Sequence, residues 1–85
     1  MQSEAVTIQS DEILDARGLS CPMPLLKTKK TLKGLKPGQI LEIWGTDPGS
    51  KNDIPDFCKK GGNELMDMID APGGYTRYFI RKGQV

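Results

Sequence analysis

No histidine occurs anywhere in the 85 residues, and cysteine appears only twice, as Cys21 and Cys58. Without an imidazole the chain cannot assemble a Cys-His or Ser-His nucleophile pair of its own, because no general base of that kind is available. Two thiols without histidine also make a poor zinc site, which takes three or four protein ligands, so no metal site is expected. A disulfide scaffold is disfavoured, since two cysteines close one bridge at most and the chain reads as cytosolic. Long apolar runs are missing as well. No stretch approaches the roughly 20 residues of a membrane span. The opening MQSEAVTIQSDE lacks the basic and apolar regions of a signal peptide. A cytoplasmic protein with no membrane partner is therefore expected. Charge of one sign is lacking too: twelve Lys plus Arg face eleven Asp plus Glu, which gives nucleic acid no global attraction. A chain of this length buries about 60 to 65% of its unfolded surface, enough for one two-layer core but not for a large enzyme's closed cleft.

The chain divides into a short leader and one structured domain. Met1 to about Ser10 is polar and aperiodic and is expected to be a disordered extension, with the domain covering 11–85. Ile13 and Leu14 between acidic residues suggest a short strand ending at Ala16, followed by a turn at Gly18. From Pro22 to Leu35, Leu25, Leu32 and Leu35 mark the apolar side of a helix, with Thr28 between them. Pro22 suits its first position, Cys21 its cap, and Gly34 with Pro37-Gly38 its end. Lys27, Lys29, Lys30, Lys33 and Lys36 fill the remaining positions, and Leu26 falls among them.

Gln39 to Trp44 is β-rich and reads as a largely buried strand. Ile54, Phe57, Cys58 and Gly61 then repeat at helical spacing. This second helix either begins at Pro48 under an Asp47 cap and bends at Pro55, or begins later under Asp53. Gly61-Gly62 ends it. Asn63 to Asp70 and Tyr75 to Lys82 are strand-like runs joined by the turn residues Ala71-Pro72-Gly73-Gly74. Their inward faces stay open: Leu65 and Ile69 compete with Met66 and Met68, and Tyr75 and Phe79 with Tyr78 and Ile80. The order is βαβαββ. It predicts an α/β two-layer sandwich with a mixed four-stranded sheet, a parallel first pair, an antiparallel last pair, and two helices on one face.

Cys21, placed at a helix N-terminus, meets unpaired backbone N–H groups and the positive end of the helix dipole, which favour thiolate over thiol. Its pKa should therefore fall below the free value of about 8.5. Pro22 and Pro24 stiffen the first turn, and Gly18 lets the preceding loop turn tightly so that the sulfur projects. An exposed thiolate without an acid or base beside it can exchange with another sulfur, because that step needs only a nucleophile and a good leaving group. No second thiol sits three residues away, so a CxxC-type oxidoreductase is a poor fit. Cys58 lies on the apolar stripe with Ile54 and Phe57 and is expected in the core.

The run Leu14-Asp15-Ala16-Arg17-Gly18-Leu19-Ser20-Cys21-Pro22-Met23-Pro24 resembles the signature of the TusA family of sulfur carriers, also called SirA-like. The likeness continues through Lys29-Lys30-Thr31-Leu32, Lys36-Pro37-Gly38, Asp47-Pro48, Asp53-Ile54-Pro55-Asp56-Phe57-Cys58 and Tyr78-Phe79-Ile80-Arg81-Lys82. It implies a two-layer α/β sandwich whose CPxP cysteine, here Cys21, takes a persulfide from a cysteine desulfurase or a rhodanese-type donor. That covalent sulfur would be the only cargo, with no other cofactor and no independent turnover. In the best-known members the sulfur passes down a relay to the 2-thio group of a tRNA wobble uridine, while relatives feed sulfur oxidation or molybdenum cofactor synthesis. Under this reading Lys29, Lys30 and Lys33 around Leu26 could steer an acidic partner toward the sulfur, with Met23 as an adaptable apolar contact. A competing class is an RNA-binding or regulatory module, with the lysine helix and Tyr75, Tyr78 and Phe79 as stacking groups. It is disfavoured by the near-zero net charge and by an aromatic content of only 6%.

Overall fold

The computed structural model describes residues 9–20 and 22–83. Six elements follow in the order β1 (Glu12–Ala16), α1 (Met23–Lys33), β2 (Ile40–Gly45), α2 (Ser50–Gly61), β3 (Glu64–Ala71) and β4 (Tyr75–Arg81). They form one four-stranded sheet in the order β1-β2-β4-β3. β1 and β2 are parallel, and β4 runs antiparallel to both β2 and β3, so the sheet is mixed as expected. Leu32 of α1 and Ile54 and Cys58 of α2 share one buried cluster with Leu41, Ile43, Tyr78 and Ile80, which places both helices on a single face of the sheet. Residues 1–8 of the expected leader lie outside the described residues. Ser10 is already tied to the sheet, its hydroxyl donating to Glu42 Oε1 at 3.0 Å.

The first helix begins one residue later than its sequence suggested. Pro22 is the N-cap (φ −96°, ψ 9°), and prolines occupy the start without loss because the first turn has no intrahelical acceptor for their missing N–H. Its buried stripe is also shifted: Pro24, Thr28 and Leu32, at i, i+4 and i+8, point inward, while Leu25 is half-buried. Pro24 is thus a core residue as well as a stiffener. Thr28 can be buried because its hydroxyl donates to the Pro24 carbonyl at 2.7 Å. Leu35 lies past the helix end yet still packs against the core.

The second helix starts at Ser50, between the two starts left open and nearer the earlier, with Pro55 inside it. Neither acidic candidate is the cap, a position taken by Gly49; Asp47 instead stands just before, accepting from the Ser50 hydroxyl at 3.4 Å. The helix closes at Gly62 in the left-handed region (φ 75°), where the Asn63 N–H reaches the Cys58 carbonyl at 3.0 Å. Gly62→Ala is expected to destabilise the fold by about 1 kcal/mol in chemical denaturation, the penalty of a Cβ in that conformation.

Strand pairing settles the open registers. Leu65 pairs with Ile80 on the helix side, but Ile69 pairs with Arg77 on the other, because a register shift between Leu65 and Asp67 inserts one extra residue. In β4, Tyr78 and Ile80 join the core under the helices. Tyr75, Arg77 and Phe79 alternate onto the opposite, open face.

Candidate functional site

The connection between β1 and α1 leaves the sheet at the carboxyl ends of the two parallel strands, where α/β folds commonly place their sites. Gly18 takes a left-handed conformation (φ 82°), as the expected tight turn requires, and its N–H donates to Thr46 Oγ1 at 2.9 Å. The Leu19 N–H returns to the Ala16 carbonyl at 3.2 Å, and the Met23 N–H reaches the Ser20 carbonyl at 2.9 Å. Cys21, the expected carrier, lies outside the described residues. Both sides of it are described: Ser20 and Pro22 are exposed, and α1 carries no acidic residue in its first turn. The positive end of the helix dipole there is offset by no carboxylate of that turn.

The other thiol is a different kind of group. Cys58 is free and 2% exposed, and burial pushes its pKa up to about 11. It is a core residue, as its place on the apolar stripe suggested.

The residues expected to meet a partner stand on the outer side of α1. Met23 is 41% and Leu26 49% exposed, three residues apart and therefore neighbours on the helix surface. Lys29, Lys30 and Lys33 are exposed around them but fan outward. Lys29 leans toward α2, its ammonium 5.7 Å from the Phe57 ring centre. Lys33 lines a hollow with Phe57, Asn63 and Lys82, whereas Lys30 sits on the β1 side near Glu12 and Leu35. The result is an apolar pair rimmed by cations.

The expected stacking groups of an RNA-binding module are not available together. Tyr78 and Phe79 are both fully buried, one on each face of the sheet, so this part of the expectation is corrected. Only Tyr75 is partly open, and it already packs against Trp44 with ring centres 5.5 Å apart.

Two clusters on the open face escaped the sequence reading. Glu42 is 4% exposed and accepts from Trp44 Nε1 at 2.6 Å, Arg77 Nε at 2.8 Å and the Ser10 hydroxyl at 3.0 Å. Burial alone would raise its pKa, but these three donors, Arg77 first, hold it below the ordinary carboxylate value. Arg17 forms the second cluster with Asp15, Trp44 and Tyr75. Its side chain keeps the Asp15 carboxyl down at about 2. The only sequence signal was period-two alternation, which puts Glu42 and Trp44 on one side of β2 without naming their partners.

Among the described residues no helix is long and apolar enough to cross a membrane. The model of the family described as Sulfurtransferase TusA matches residues 12–82. The sulfur carrier protein TusA of Allochromatium vinosum is 47% identical over 72 residues, which cover 85% of this chain and 93% of that one. YrkI of Bacillus subtilis is 46% identical over 76 residues, covering 89% of this chain and all of its own. A crystal structure of a SirA-like protein from Desulfitobacterium hafniense superposes with a TM-score of 0.76 over 86% of this chain and 99% of that one; at 22% identity the likeness is one of fold. With the signature around Cys21, the βαβαββ sandwich and a family match that runs from the first strand to the last, the chain belongs to the TusA family of sulfur carriers.

Proposed function

We propose that this carrier holds its sulfur as a persulfide on Cys21. The observation that carries the reading is the burial of the other thiol: Cys58 is sealed in the core with its pKa pushed up to about 11, so it is neither accessible nor ionised at neutral pH. Residue 21 stands between the Gly18 turn and a helix N-terminus free of acidic side chains. The step is a thiol exchange. A donor enzyme's persulfide presents its outer sulfur, the Cys21 thiolate attacks that atom, a new S–S bond forms as the donor's breaks, and the donor cysteine leaves as thiolate. No proton acceptor is required, in keeping with the missing histidines.

The family implies a sulfur donor and an acceptor. We take the donor to be a cysteine desulfurase or a rhodanese-type protein, and the acceptor to be a relay protein in the cytoplasm. Met23 and Leu26 offer apolar contact, and Lys29, Lys30 and Lys33 attract an acidic partner surface and speed its encounter. The destination we propose is the 2-thio group of a tRNA wobble uridine, with sulfur oxidation and molybdenum cofactor synthesis as the alternatives within the same chemistry.

The test is direct. After incubation with a cysteine desulfurase and L-cysteine, the protein is digested without reductant and the added sulfur is located by mass spectrometry. It is expected on the peptide containing residue 21; sulfur on the Cys58 peptide, or on neither, overturns the assignment. In cells lacking the chain, tRNA nucleosides should lose 2-thiouridine. Normal thiolation with lost sulfite formation or lost molybdoenzyme activity would redirect the pathway.

A further inference from the structure

A groove runs along the seam between α1 and α2. Where both helices end it widens into a hollow of about 260 Å³, floored by Leu32 and the half-buried Phe57 and rimmed by Lys29, Lys33, Lys82 and Asn63. Among the described residues no acidic side chain lines that end. Toward the helix starts a second hollow of about 320 Å³ shares Lys29 and Phe57, but there Asp53 and Asp56 balance Lys29 and Lys60, and Asp56 pairs with Lys60 at 3.1 Å. The groove is therefore polarised, cationic at one end and balanced at the other.

Each of the three lysines also has an ordinary use. Lys33, like Lys30, stands in the last turn of α1, where a cation complements the negative end of the helix dipole. The Lys82 ammonium donates to the Leu35 carbonyl at 2.6 Å, and that of Lys29 lies 5.7 Å from the Phe57 ring centre. These uses account for single charges and not for three gathered round an open apolar floor. Such a hollow complements a segment that carries an apolar side chain next to carboxylates. The apolar part displaces water from Phe57, and the carboxylates meet the rim.

We infer that this hollow is the seat of an acidic segment of the sulfur donor, with an apolar side chain on Phe57 and Leu32 and flanking carboxylates on Lys29, Lys33 and Lys82. This rests on the reading of the chain as a carrier loaded by a donor protein. The donor is the occupant rather than an acceptor because loading is common to every destination, whereas the acceptor differs with the pathway. The seat divides the lysine face of α1. Lys30 lines a separate hollow with Glu12 and Leu35 on the β1 side, so it adds to long-range attraction but does not touch the bound segment.

The experiment is a calorimetric titration of a cysteine desulfurase with this protein, without L-cysteine, so that binding is read apart from sulfur transfer. Salt is set at about 0.15 M, where exposed charges more than about 8 Å apart are largely screened. Lys29→Glu and Lys33→Glu are each expected to weaken binding at least tenfold, the loss typical of a residue at the centre of a contact. Lys30→Glu makes the same charge change in the same last turn as Lys33→Glu and should stay within about twofold of wild type. Phe57→Leu, which leaves part of the floor bare, should weaken binding about threefold. Thermal melts confirm that each variant is folded, and the pair Lys30→Glu and Lys33→Glu decides the matter if Phe57→Leu is not. Equal losses in that pair overturn the inference, because the attraction would then be diffuse. Full affinity in Lys33→Glu or in a folded Phe57→Leu overturns it too, as does a desulfurase that fails to bind wild type. Self-association of wild type that Lys33→Glu abolishes, read by sedimentation, gives the hollow to a second copy and overturns it as well. L-cysteine added afterwards tests the carrier site separately. Sulfur found away from residue 21 brings down that assignment and leaves the seat standing, whereas sulfur on residue 21 with equal losses in the lysine pair brings down the seat alone.

Discussion

Cys21→Ser is expected to take up no sulfur from a loaded desulfurase, whereas Cys58→Ser should load as fully as wild type. The contrast follows from the burial of Cys58, which leaves Cys21 as the other thiol of the sequence. At neutral pH a serine hydroxyl is not ionised and cannot displace a thiolate from a persulfide, so the first substitution removes the nucleophile and nothing else replaces it. The second removes a group with a pKa near 11, of which only about one part in ten thousand is thiolate at pH 7. Its cost appears in stability. Cys58 packs in the cluster with Ile54 and Tyr78, and a hydroxyl there without a partner costs about 1 to 3 kcal/mol. Intact-protein mass after loading, with a denaturation midpoint measured alongside, reads both effects. Loading of Cys21→Ser would end the proposal, and loss of loading in a folded Cys58→Ser would show that the buried thiol takes part.

Glu42→Ala is expected to destabilise the protein by about 3 kcal/mol, the lower part of the range for removing one partner of a buried ion pair. The substitution leaves the Trp44 indole N–H and the Arg77 guanidinium without their acceptor, next to a fully buried Phe79 whose ring the guanidinium covers at 5.1 Å. Arg77 keeps about a quarter of its side chain in water and can turn outward, which limits the loss. The same carboxylate should make stability depend on pH. Its pKa is lower folded than unfolded, so its contribution is present in full above the ordinary value of 4.5 and fades as pH falls through the folded one. Denaturant midpoints measured from pH 6 down to pH 3 should therefore decline in wild type and decline less steeply in Glu42→Gln, which leaves only the other lowered carboxylates, Asp15 and Asp70, to titrate. Parallel profiles for the two proteins would mean that Glu42 is not the group responsible.

The element order, the C-terminal ends of both helices and the signature around Cys21 were all legible along the chain, because they rest on local physics. Gly18 and Gly62 permit backbone angles that other residues resist, prolines tolerate only certain positions, and apolar residues at i, i+3 and i+4 mark one side of a helix. Those rules also separated Cys58, on an apolar stripe, from Cys21, beside a Pro-rich start. Shorter-range ambiguities were resolved only by packing. One inserted residue near Met66 sends Leu65 and Ile69 to opposite faces although their spacing is that of a single face, and no local preference announces it. Phe79 and Tyr78 are adjacent and both buried, which requires that the open face have a layer of its own. That layer is made by Glu42 with Arg77, 35 positions away, and by Arg17 with Trp44 and Tyr75. Such pairings arise when β4 inserts beside β2, bringing distant side chains together across strands, so the sequence determined which chemistry this chain could carry and the tertiary structure decided what holds it in place.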